Sequence, residues 1–118
     1  MLIGISIRGE NLDAPVDLRL GRAQMFLLVD SDTAQFKTLD PGAGQIQHGA
    51  GIQTAQMLLK AGVKAVISGD CGPKAFQVFQ AAQVPIYSVT GGTAREALDA
   101  WRRQELPVIG QPGGMGHA

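Results

Sequence analysis

The sequence predicts an α/β domain: a mixed five-stranded sheet in the order β-β-β-α-β-α-β-α, flanked by three helices. Three observations carry this. Apolar runs of strand length occupy the chain before Pro41, the apolar spacing turns helical from Gly49, and two strand-then-helix units follow, each turning through glycine. The 118 residues suit one domain over 1–105, with a Gly/Pro-rich stretch, 106–118, expected to be a flexible tail because it has too little apolar surface to fold.

Leu2 to Ile7 (LIGISI) and Gln24 to Val29 (QMFLLV) read as strands, and Gln35 to Leu39 (QFKTL) alternates as a half-buried or edge strand does. The turn formers Asp30-Ser-Asp-Thr make the second and third an antiparallel hairpin. Arg8 to Arg22 is longer and less regular. Ile52, Ala55 and Leu59, with Met57 and Leu58 beside them, fit a helix ending at Ala61-Gly62, where glycine suits the position after the last turn. Ala65 to Ser68 is the fourth strand. Pro73 opens the next helix, since its missing N–H would have been unpaired there, and Ala75, Phe76, Phe79 and Ala82 give its buried stripe. Pro85 to Val89 is the fifth strand. Thr93 with Glu96 three residues on is a capping-box pattern, and Ala94, Ala97, Leu98 and Trp101 form the last apolar face. No internal repeat is visible. With alternating hairpin directions, strands one, three, four and five point the same way and their exit loops share one edge.

Composition narrows the function. Ten basic and ten acidic side chains give a net charge of zero and aromatics are only 5%, so neither the field nor the stacking surface for general nucleic-acid binding is present. The longest uncharged stretches are broken by Gln, Gly and Pro85, which argues against a membrane span, and the start lacks the pattern of a secretory signal, so a cytoplasmic location is expected. Cys71 is the only cysteine, which excludes an internal disulfide framework and any site needing several thiolates from one chain.

Glycine is the outlier, at 16 residues or about twice the usual share of roughly 7%. Eight lie in Pro41 to Gly51, Gly69 to Pro73 and Thr90 to Thr93, each loop leaving a strand and opening a helix. Open sheets bind ligands beyond the carboxyl ends of their strands, and helix starts offer unpaired N–H groups with partial positive charge. Three such starts predict an anion cradle of backbone amides around Gly49, Ala50, Gly51, Asp70, Cys71, Gly72, Gly91 and Gly92, with Arg8 and Arg22 adding cations at the same edge. The alternative is that these glycines only turn the chain between packed elements. No loop is a phosphate-binding P-loop, and Arg8-Gly-Glu after the first strand fails the dinucleotide pattern.

The start MLIGISIRG, the string GRAQMFLLVD and the run HGAGIQTAQMLLKAGVKAVISGDCGPKAF resemble the dinitrogenase iron-molybdenum cofactor biosynthesis family, most of all its small stand-alone members, molybdenum-copper ones included. The resemblance spans about 1–105 and is most specific at Gly21-Arg22-Ala23, Gly49-Ala50-Gly51 and Gly72-Pro73-Lys74-Ala75. It implies a ribonuclease H-like fold and a non-enzymatic carrier of an anionic metal-sulfur cluster, molybdenum-copper sulfide or iron-molybdenum/iron-sulfur, held non-covalently. It also implies a cluster donor or acceptor protein as partner. Leu20 stands where the family often has phenylalanine and Asp40-Pro41 where asparagine is common, changes that bear on packing and the turn.

Cys71 and His48 are not general family signatures, and their candidacy as metal ligands is local. Cys71 precedes a helix start whose dipole is expected to lower its pKa toward the metal-binding thiolate, the alternative being a small buried hydrophobe. His48, just before Gly-Ala-Gly, is placed to ligate a metal or donate to a sulfide, the alternative being a plain cap. Met115 and His117 in the tail are weaker candidates. Asp13 and Asp17 read as acids keeping the first long loop solvated, and Arg102-Arg103 as complements to a helix dipole. A two-metal nuclease needs carboxylates from the first strand, where this chain has Gly4 and Ser6. A small regulatory or interaction module without a cluster remains the competing class, its third strand a possible pairing edge, as monomer or weak homodimer.

Overall fold

A computed structural model describes residues 1–41 and 50–110. Among them are β1 (Leu2–Ile7), β2 (Met25–Asp30), β3 (Phe36–Leu39), α1 (Ala50–Ala61), β4 (Ala65–Ser68), α2 (Pro73–Ala81), β5 (Ile86–Ser88) and α3 (Ala94–Arg102), with a 3₁₀ turn at Leu20–Arg22. The strand order is β3-β2-β1-β4-β5, with β2 antiparallel to both neighbours and β1, β4 and β5 parallel. Strands β1, β3, β4 and β5 therefore run the same way, as the alternation of the hairpins predicts. The β2–β3 turn is held by Asp30, whose Oδ1 accepts from the amides of Asp32 and Thr33, which keeps its carboxyl below the ordinary range.

The sheet is covered on both faces. Ile3, Ile5, Ile7, Leu27, Val29 and Ile67 point to the side where α3 lays Ala94, Ala97 and Leu98. Phe26, Leu28 and Val66 point to the other, meeting Ala55 and Leu58 of α1, Ala75 and Phe79 of α2, and Leu20 of the 3₁₀ turn. Strands β1, β2 and β4 contribute to both clusters, so their near-continuous apolar runs are those of strands buried on two sides. Strand β3 lies at the edge and is largely exposed. Leu20 is a core residue at 1% exposure. Ala82 is exposed because α2 ends at Ala81 and Ala82 is its C-cap.

The long first loop is ordered and crosses the carboxyl end of the sheet as a strap. Val16 bridges to Ile7, Pro15 to Thr93 and Arg19 to Asp70. Leu12, Ala14 and Val16 join the α3-side core and Leu20 the opposite one. The segment expected as a free tail is tied down at its start. The amide of Ser88 donates to the Pro107 carbonyl (2.9 Å) and that of Ile109 to the Ile86 carbonyl (2.8 Å), laying Pro107 to Ile109 along the outer edge of β5. That edge would otherwise leave its polar groups unpaired.

Candidate functional site

Strands β1, β4 and β5 end at one edge, and the expected binding loops leave from it. Gly51 in the first turn of α1, Gly21 in the 3₁₀ turn and Ala75 in α2 stack closely: a Cβ on Gly21 would lie 3.6 Å from the Gly51 Cα, and one on Gly51 would lie 3.6 Å from the Ala75 Cβ. Arg22 is exposed at the end of the 3₁₀ turn, and Arg8 is exposed as it leaves β1. Arg22, Ala50, Gly51, Asp70 and Gly72 thus belong to the corner formed by the 3₁₀ turn, α1 and α2. His48 and Gly49, and the tail candidates Met115 and His117, lie outside the described residues.

The expectation of three open helix starts is corrected at α3. Its first amides are already spent: Ala94 donates to the Ala14 carbonyl (2.9 Å), Arg95 to the Leu12 carbonyl (2.8 Å) and Glu96 to Thr93 Oγ1 (3.2 Å). The Glu96 carboxylate closes the capping box on the Thr93 amide at 2.9 Å. Gly92, at φ +91°, serves that turn, its carbonyl accepting from the Val16 amide. Gly91 and Gly92 border a cavity of about 410 Å³ on the α3 side, whose charged lining residue is Glu96, a poor surround for an anion. The strap separates this turn from the α2 corner.

The start of α2 is open. Gly72 is its N-cap without a side-chain cap, Pro73 has no N–H, and the amides of Gly72 and Lys74 have no acceptor among the described residues. Nothing lies within 4 Å of where a Cβ on Gly72 would stand, and its φ of −64° suits any residue, so neither packing nor backbone conformation demands glycine there. Gly69 is different: a Cβ there would come within 2.6 Å of Leu18 Cβ and 2.8 Å of its Cα, so the strap can cross only over a glycine.

Two acids modify this corner. Asp70 Oδ1 accepts from the Cys71 amide at 2.9 Å, placing a carboxylate against the α2 start that the amides alone would make positive. Cys71 reverses the expectation made for it. It is 1% exposed within the α1/α2 core cluster, and burial, reinforced by the Asp70 charge, pushes its thiol up to about 12. Burial and the neighbouring carboxylate thus set the direction of the shift, opposite to the one expected from the helix start, and the thiol is neutral in the fold.

Asp17, expected to solvate a loop, is buried. Its carbonyl accepts from Ser6 Oγ (2.6 Å) and Ser68 Oγ (3.3 Å), pinning the strap over β1 and β4. Its carboxylate lies 3.8 Å from both Arg8 Nε and Arg19 Nε. Sequence reasoning missed Arg19. The available signal was Leu12, Ala14 and Val16 at alternate positions, which marks an extended buried strap and turns its side chains into site walls. Among the described residues no three His, Cys, Asp or Glu side chains converge as a metal-ion site.

The family model described as "Dinitrogenase iron-molybdenum cofactor" matches residues 1–104. The apo form of the orange protein from Desulfovibrio gigas is 38% identical and superposes with a TM-score of 0.88 over 95% of each chain. A proposed NifB protein from Thermotoga, solved by NMR, is 28% identical with a TM-score of 0.81 over 98% of each chain. An uncharacterised protein of Methanocaldococcus jannaschii is 27% identical over 89 residues, 73% of this chain and 75% of its own. No helix among the described residues is long and apolar enough to cross a membrane.

Proposed function

The chain belongs to the dinitrogenase iron-molybdenum cofactor family, and from that premise we propose that it binds and carries an anionic metal-sulfur cluster as cargo, without catalysing a reaction on it. The observation that carries this reading is the bare α2 start, where the amides of Gly72 and Lys74 have no partner among the described residues and the space over Gly72 is clear. Arg8, Arg19 and Arg22 are exposed around the same edge. Charge-assisted hydrogen bonds contribute about 1.5–3 kcal/mol each, so a few amides and guanidinium groups suffice to hold a multiply charged guest without a covalent ligand. A molybdenum-copper sulfide is what the resemblance to the family's small stand-alone members implies, and an iron-molybdenum or iron-sulfur cluster fits the family description. The reading extends to storage, assembly or delivery in the cytoplasm, to a donor or acceptor protein, and to a ribonuclease H-like fold for the β3-β2-β1-β4-β5 sheet.

The test is anaerobic reconstitution with thiomolybdate plus copper, or with iron and sulfide. Stoichiometric metal with charge-transfer absorption is expected, and its absence under both conditions overturns the reading. One observation favours an interaction module instead: among the described residues no further strand pairs with β3, which carries Phe36 at 43% exposure. Partner capture that proceeds equally well without metal, and with Gly72→Ala, supports that second reading.

A further inference from the structure

The strap carries a charge arrangement that folding alone does not explain. The Asp17 side chain is 4% exposed, whereas those of Arg8 and Arg19 are 62% and 58% exposed. One carboxylate thus sits under two guanidinium groups, Oδ2 toward Arg8 and Oδ1 toward Arg19, each at 3.8 Å. That separation is ion pairing without a hydrogen bond, since N–H···O bonds close at about 2.7–3.2 Å. Among the described residues Oδ1 accepts one hydrogen bond, from the Arg19 amide at 3.0 Å, and Oδ2 accepts none. Neither guanidinium group donates a hydrogen bond among the described residues, so the planar donor forks of both remain unspent. A buried carboxylate satisfied this incompletely is costly, and an apolar residue of similar size would serve stability as well. What the carboxylate does provide is placement, keeping two mutually repelling cations side by side at the sheet edge with a net charge of +1.

We propose that Arg8 and Arg19 form a paired clamp for the anionic cargo and that Asp17 is the positioning residue that holds them. The clamp rests on the carrier reading and names residues for it. The matching guest is a multiply charged, sulfur-rich anion, because guanidinium is more weakly hydrated than ammonium and gives up its water readily to a soft, diffuse charge. Ser6 and Ser68 anchor the arrangement through the Asp17 carbonyl, so the carboxylate rests on β1 and β4 rather than on a free loop.

The probe is tetrathiomolybdate, titrated anaerobically into the full chain with affinity read by equilibrium dialysis and folding by thermal unfolding. Arg19→Gln is expected to weaken binding about tenfold, and Arg19→Lys to recover only part of this because a point charge does not reproduce the fork. Arg95→Gln, which removes the same charge from an exposed pair with Asp13 on α3, is the control and is expected to bind as the parent does. Asp17→Asn separates positioning from charge: it makes the site more positive, so simple Coulomb attraction predicts tighter binding, whereas loss of the clamp predicts weaker binding. Tighter binding by Asp17→Asn, parental affinity in Arg19→Gln, or equal losses in Arg19→Gln and Arg95→Gln each overturns the clamp and leaves the carrier reading standing. No binding by the parent chain to this probe, or in the reconstitution above, brings down the carrier reading itself. Should Asp17→Asn fail to fold, the Arg19 series with its control decides alone.

Discussion

Two glycines three residues apart are expected to respond in opposite ways to the same methyl group. In Gly69→Ala the new Cβ meets Leu18 at 2.6 Å (Cβ), 2.7 Å (Cδ2) and 2.8 Å (Cα). A flexible side-chain end can swing aside, but a Cβ and a Cα move only with the backbone, and Leu18 lies between Asp17 and Arg19. Overpacking of this kind costs about 1–3 kcal/mol. At about 4 °C per kcal/mol for a domain of this size, the melting temperature falls by roughly 4–12 °C. In Gly72→Ala nothing lies within 4 Å and φ is −64°. The loss of a favourable N-cap residue, about 0.5–1 kcal/mol, is offset by about 0.4–1 kcal/mol from the stiffer unfolded chain, leaving stability within about 0.5 kcal/mol of the parent.

Binding is expected to divide them differently. The Gly72 methyl stands over the open amides of α2, so one charge-assisted hydrogen bond to the guest is lost or lengthened, about 1.5 kcal/mol or roughly tenfold in affinity. Thermal unfolding by circular dichroism and anaerobic thiomolybdate titration of both variants form the assay. A Gly72→Ala protein that melts with the parent and binds with parental affinity refutes the claim that the guest meets the α2 amides. A Gly69→Ala protein as stable as the parent refutes the packing of the strap on β4.

Asp70→Asn is expected to tighten thiomolybdate binding several-fold, since it keeps an acceptor for the Cys71 amide and removes the one carboxylate set against the α2 start; unchanged or weaker affinity in the titration contradicts this. The Cys71 thiol, raised from 9.0 to about 12, is neutral in the fold, so its stabilising effect is full below about pH 9 and is lost as pH rises through about 12. Chemical denaturation from pH 8 to 12 is expected to show a shallower alkaline decline in Cys71→Ala than in the parent. Thr93→Ala is expected to cost about 1 kcal/mol by denaturant titration through loss of the capping box, while leaving thiomolybdate affinity unchanged because the Ala94 and Arg95 amides stay on the Ala14 and Leu12 carbonyls.

The strands were legible because each carries its own signal. LIGISI is apolar but for Ser6 since β1 is central and buried on both faces, and the run ends where the structure ends it, at Ile7. Pro73 and the Thr93–Glu96 pair mark their helix starts for local reasons of backbone chemistry, and the structure places both starts there. The Arg8–Arg22 loop was legible only as an extended buried segment, through the alternation of Leu12, Ala14 and Val16. Its order depends on partners far along the chain, with Pro15 pairing to Thr93 and Arg19 to Asp70, and no local spacing encodes such pairings. The docking of Pro107 to Ile109 on β5 is hidden for the same reason.

The site shows the same division with a sharper consequence. A sequence can mark a helix start, but whether its amides are free depends on which carbonyls reach them. At α3 the Ala94 and Arg95 amides are reached by the carbonyls of Ala14 and Leu12, so the helix start beside Gly91 and Gly92 offers fewer free amides than expected. Cys71 shows the converse error: the helix start argues for a lowered thiol, but burial at a core position and the neighbouring carboxylate set the opposite direction. With α3 closed and Asp70 opposing α2, backbone amides among the described residues supply less positive potential than three open helix starts would. An anionic guest at this edge must then draw on side-chain cations. The cations anchored to the sheet there, rather than left to solvent, are Arg8 and Arg19, because Asp17 ties both through its carbonyl to Ser6 and Ser68. On the proposed carrier reading, holding a guest is thereby coupled to the strap, since Arg19 lies within it and Arg8 does not.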